Sequence, residues 1–79
     1  MTAIDGQVVG RRIKALRIDR GYTQDELSDK SGVSSSQIAR YERGESLPSF
    51  SAAYAIAKTL NCSLDVLYAR KDLVEAMGE

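Results

Sequence analysis

The chain has 79 residues, 43% of them hydrophobic and 28% charged, a composition that fits one small globular domain and excludes a disordered, collagen-like or membrane-spanning chain. Eleven lysines and arginines balance eleven acidic residues, so any nucleic-acid role must rest on how charge is distributed, since the usual basic excess is missing. With Cys62 as the single cysteine and no histidine, an intrachain disulfide is excluded; no cofactor, metal site or enzyme chemistry is expected, and Cys62 is expected to be a small buried hydrophobe.

In chain order, the opening "MTAIDGQVVGRR" carries no basic region followed by an apolar run, so a cytoplasmic protein with no membrane contact is expected. Val9, Ile13 and Leu16 then fall at helical spacing up to Gly21, predicting helix one over about 7–20. Thr23 and Glu26 form a capping box that opens helix two, about 24–31, which stops at Gly32. After a very short turn the box repeats with Ser34 and Gln37, and helix three runs over about 35–43 to Gly44. Helix four carries Phe50, Ala53, Ile56, Ala57 and Leu60 on one apolar stripe and closes at Asn61, a residue that tolerates left-handed backbone. Ser63 caps a fifth helix with Leu64 and Leu67 on one face, and a further box begins at Asp72.

No stretch alternates with period two, so the class is all-α: a five-helix bundle forming one domain over 1–79, with its core at about 7–69 and residues 70–79 as a C-terminal extension. Helices two and three, joined through "SGVS", have the spacing of a helix-turn-helix, which a surface pair of helices would share. Helix three distinguishes the two. Ile38 faces inward, yet the next position on its stripe is Glu42, and in helix one Arg17 follows Ile13 in the same way. Two charges aimed at a core edge need partners, so Arg17 and Glu42 are predicted to pair. Ser35, Ser36, Gln37 and Arg40 are then left facing outward, the first three at the N-terminal end with which groove-reading helices contact bases. Thr23, Gln24 and the amides at the start of helix two, with Arg43 and Arg12, are candidate phosphate contacts; each also reads as a solubilising side chain. Asp65, Asp72, Glu75 and Glu79 gather at the other end, so a neutral chain can still be dipolar.

At "RGYTQDEL", "SGVSSSQIARYERGE" and the later "SLDVL", the chain resembles the Cro and phage-repressor (Xre) helix-turn-helix family over Arg12 to Leu67. That resemblance implies a lambda-repressor-like domain that binds double-stranded DNA as a homodimer on a palindromic operator. It also implies a transcriptional repressor or a controller of the restriction-modification type. By position it implies a phosphate contact at Gln24, base contacts at Ser35, Ser36 and Arg40, a backbone clamp at Arg43, and a buried pair of Arg17 with Glu42. Three positions depart from the family pattern: Ser28 stands for the usual alanine, Ala53 for a leucine that Phe50 or Tyr54 would compensate, and serines stand where several relatives read bases with glutamines. Dimerisation is expected through Val66, Leu67, Tyr68, Leu73 and Val74, against a tail folded onto its own core. The alternative function is a protein-interaction module, an antitoxin or regulator antagonist that binds a protein partner through its C-terminal helix.

Overall fold

A computed structural model describes residues 5–68, and within them the chain forms five α-helices and no strand. They are α1 (Gly6–Asp19), α2 (Gln24–Ser31), α3 (Ser35–Glu42), α4 (Phe50–Thr59) and α5 (Leu64–Tyr68). Each of the first four starts at a short polar side chain that accepts an otherwise unpaired amide: Asp5 from Gln7, Thr23 from Glu26, Ser34 from Gln37 and Ser49 from Ala52. The box at Thr23 is complete, since Glu26 Oε1 accepts in return from the Thr23 amide at 2.9 Å. At α3 it is half made. Ser34 Oγ accepts from the Gln37 amide at 3.2 Å, and among the described residues the Gln37 side chain returns no bond and stays exposed.

Three helices end the same way. After α1, α3 and α4, a residue with positive φ (Gly21, Gly44 and Asn61) turns the chain, and the following amide reaches back to close the helix in a Schellman motif. Asn61 adopts φ 57° without glycine's freedom, as an asparagine can.

α1 packs across α3, α2 packs on α3 and α4, and α5 closes the far side against α1 and α4. The shared core holds Val9, Ile13, Leu27, Ile38, Ile56, Leu60 and Leu67, all essentially without solvent exposure. Each such side chain contributes about 1.5–3 kcal/mol by leaving water. The α1–α3 crossing is close because of Gly10: a Cβ there would lie 2.0 Å from the Tyr41 carbonyl oxygen. No described helix is long and apolar enough to cross a membrane.

Several expectations are corrected by this packing. Phe50, placed by periodicity on the core stripe of α4, is 76% exposed. It is the first residue of its helix and overhangs the edge of the core, where it stacks on the less exposed Tyr54 at 6.3 Å between centroids. Neither ring therefore fills the space beside Ala53, which is itself buried. Leu67, expected in a dimer interface, is fully buried in the chain's own core because α5 lays that face on α1 and α4. Cys62 is only partly buried at the core edge, and that burial raises its thiol pKa. No polar side-chain atom is buried without a partner among the described residues, so the Ser28 hydroxyl is not stranded.

Candidate nucleic-acid interface

α3 is divided lengthwise by what its side chains must bury. Ile38 and Tyr41 enter the core, and Glu42 turns toward α1. There Arg17 meets it as a fork: Nε donates to Glu42 Oε2 at 2.7 Å, Nη2 to Oε1 at 3.1 Å, and Nη1 to the Tyr22 carbonyl at 2.8 Å. The side chains of Arg17 and Glu42 are 10% and 3% exposed, so this pair is held largely away from water. Its geometry satisfies the condition under which a buried pair is tolerated, with both carboxylate oxygens and all three guanidinium nitrogens engaged. Gln24, opening α2, joins the pair by donating from Nε2 to Glu42 Oε1 at 3.0 Å. One carboxylate thus ties α3 to both α1 and α2.

The opposite face of α3 is left open. Ser36, Gln37 and Arg40 are exposed and Ser35 is half-buried at the first turn. Beside them runs an open groove whose other wall is formed by the loop after α3 and the start of α4, with Ser46, Ser49 and Ser51 facing Gln37 and Arg40. At the C-terminal end of α3, Arg43 is the C-cap, and its guanidinium donates to Glu45 from Nε at 2.7 Å and from Nη2 at 3.2 Å. These hydrogen bonds raise the Arg43 pKa and lower that of Glu45, and both groups stand in solvent.

The helix-turn-helix family model matches residues 13–67, which include the braced pair α2 and α3. The chain belongs to the helix-turn-helix family. An uncharacterised transcriptional regulator of this type from Bacillus subtilis, YazB, is 39% identical over 64 residues, spanning 81% of this chain and 93% of YazB. The immunity repressor protein of Bacillus phage phi105 is 36% identical over 67 residues, which cover 85% of this chain and 46% of that repressor, so the chain spans about half its length. Among solved structures, the P22 c2 repressor in complex with a synthetic operator superposes with a TM-score of 0.76 at 36% identity, over 80% of this chain and 96% of that one. The all-helical architecture is that of the lambda-repressor-like domains.

Within this helix-turn-helix the positions singled out from sequence fall in different places. Ser35, Ser36, Gln37 and Arg40 share the outward side of α3, and Thr23 stands exposed at the start of α2. The Thr23 and Glu26 amides are taken up by the expected capping box, so neither is open to an anion. Arg12 lies at the α1–α5 contact, where Nη1 donates to the Leu67 carbonyl at 3.1 Å; Arg20 similarly holds the Leu60 carbonyl at 2.9 Å. Both arginines close the C-terminal ends of other helices, a use invisible in local sequence because the partners lie 55 and 40 residues away. Val66 is exposed and Tyr68 half-buried, while Leu73 and Val74 lie outside the described residues. Sequence reasoning overlooked two features. One is Glu45, whose position follows from the Gly44 turn; the other is the serine wall of the groove, for which the run Ser46 to Ser51 was the available signal.

Proposed function

We infer that this chain is a sequence-specific DNA-binding transcription regulator, a repressor or a controller of the restriction-modification type, that reads double-stranded DNA with the outward face of α3. The observation that carries this reading is the two-sided character of α3: Ile38, Tyr41 and Glu42 anchor it, and Ser36, Gln37 and Arg40 are left exposed beside an open groove. Arg40 suits bidentate pairing with guanine, Gln37 with adenine, and the short serines let the helix approach base edges closely. Gln24 contributes a phosphate contact. Glu42 engages one hydrogen of its amide nitrogen, which fixes the amide plane, and the second remains to donate. Arg43 clamps the backbone beyond α3, and Thr23 adds a hydroxyl at the start of α2. Arg12 is tethered to the Leu67 carbonyl by one of its five N–H donors, which makes it a weaker candidate for a phosphate contact.

The protein acts as a homodimer on a palindromic operator, with two copies of α3 in successive major grooves ~34 Å apart. Exposed Phe50, stacked on Tyr54 and lining a small apolar hollow with Pro48, Ala53, Leu64 and Tyr68, supports a self-association face on α4 and α5.

Anisotropy titration of a labelled duplex from the chain's own upstream DNA tests the reading. Affinity is expected to fall steeply as salt rises. Arg40→Ala should weaken the cognate site by about 1–3 kcal/mol and relax preference at one base pair, whereas Gln24→Ala should weaken all sequences alike. Binding that ignores salt, or identical sequence profiles for the two variants, would overturn it.

A further inference from the structure

We propose that Glu45 is an internal competitor for the DNA backbone: its carboxylate occupies the Arg43 guanidinium in the free protein and is displaced by a phosphate when DNA binds. The inference rests on the reading of Arg43 as a backbone clamp. What Glu45 offers Arg43 is what a phosphate offers, two oxygens meeting two guanidinium nitrogens side by side, at 2.7 Å and 3.2 Å. This placement is built into the backbone. Gly44, at φ +78°, turns the chain after α3; its amide donates to the Tyr41 carbonyl and the Glu45 amide to the Arg40 carbonyl at 2.9 Å, so the Schellman closure of α3 delivers Glu45 beside Arg43. Gly44 cannot readily be replaced there, because a Cβ would lie 2.6 Å from Gln7 Cγ in addition to the strained backbone. Glu45 also feels the charge of Arg40, so one carboxylate moderates both cations at this end of the reading helix.

The pair is built to exchange. The side chains of Arg43 and Glu45 are 58% and 50% exposed, and an ion pair that open to water adds little to folding. By contrast, the pair of Arg17 with Glu42 is buried and has a structural duty. Breaking the exposed pair disturbs no core contact, and an incoming phosphate regains for Arg43 what Glu45 relinquishes. The consequence is a chain of zero net charge that keeps its clamp masked until a backbone is near, which lowers its general affinity for polyanions.

Because a phosphate contact is independent of base sequence, a fluorescein-labelled duplex of mixed sequence serves as the probe for a double-mutant cycle with Glu45→Gln and Arg43→Ala. Glu45→Gln is expected to tighten binding about two- to fivefold at low salt, and Arg43→Ala to weaken it. In the Arg43→Ala background most of the gain from Glu45→Gln should vanish, because the guanidinium that Glu45 occupies is gone and only its weaker influence on Arg40 is left. An undiminished gain in that background would reduce Glu45 to a general repulsive charge, and no gain in either background would remove its role altogether; each overturns the proposal while leaving the clamp intact. Unchanged binding by Arg43→Ala alone would overturn the clamp reading and the proposal together. Both side chains stand in solvent, so thermal unfolding of all three variants should match the parent and exclude misfolding as the cause.

Discussion

Arg17 and Glu42 are 25 residues apart in sequence and meet where α1 crosses α3. Neither can be removed alone without stranding the other in a place with little water. Arg17→Ala or Glu42→Ala is therefore expected to lose about 3–5 kcal/mol of stability in urea denaturation. Replacing both with apolar residues of similar size, Arg17→Met with Glu42→Leu, should recover most of that loss, because a desolvated pair gains little over good packing. If the double variant is as unstable as either single one, the pair contributes more than mutual neutralisation. Cys62 provides a second test at this scale. Burial holds its thiol pKa above the ordinary value, so less thiolate is present at mildly alkaline pH in the folded chain. Alkylation there should be slower than for the same chain in urea, and equal rates would show that the side chain is open to solvent.

At the scale of elements, two glycines of α1 make opposite predictions from the same substitution. Ala is preferred over Gly in a helix by up to about 1 kcal/mol. Gly6 has room for it, with the nearest atoms at 3.7 Å, so Gly6→Ala should leave the melting temperature unchanged or raise it. Gly10 has no room: its Cβ would sit 2.0 Å from the Tyr41 carbonyl, a backbone atom that cannot swing aside. Separating α1 from α3 strains the bundle, and Gly10→Ala is expected to lose at least about 2 kcal/mol despite its propensity gain. Because α3 is seated on α1 at this crossing, the same change should also weaken DNA binding. The cap of α2 is more modest: Thr23→Ala gives up the bond to the Glu26 amide and should cost about 1 kcal/mol.

For the molecule as a whole, the balance of eleven positive and eleven negative charges makes distribution decisive. Arg40 and Arg43 stand at the C-terminal end of the exposed α3 face, with Glu45 among them, so this basic end of the helix carries an acidic residue of its own. The proposed self-association would use a different surface. Phe50 and Tyr54 are exposed and stacked on α4, and an aromatic pair left in water is what a second copy would cover. Phe50→Asp should lower the apparent mass in sedimentation at micromolar concentration and leave monomer unfolding unchanged, since the ring is 76% exposed. A variant that sediments like the parent would place the dimer face elsewhere.

Much of this protein is local and therefore legible in its residues. The caps at Thr23 and Ser34, the stops at Gly21, Gly32 and Gly44, the left-handed Asn61 and the 3.6-residue stripes each depend on neighbours within one or two turns. Even the pairing of Arg17 with Glu42 could be read there, because each charge interrupts an apolar stripe and so must find a partner. The sequence by itself thus determined five helices, their order and the outward set on α3. It did not determine which apolar residues reach the core, because periodicity gives a direction around a helix axis and says nothing about where a neighbouring helix ends. Phe50 lies in phase with Ala53 but beyond the covering elements, while Leu67 is turned inward because α5 packs between α1 and α4. The same holds for charge. That Arg12 and Arg20 close distant helix ends, and that Gly44 sets Glu45 against Arg43, are outcomes of chain reversal and packing that only the tertiary structure decides.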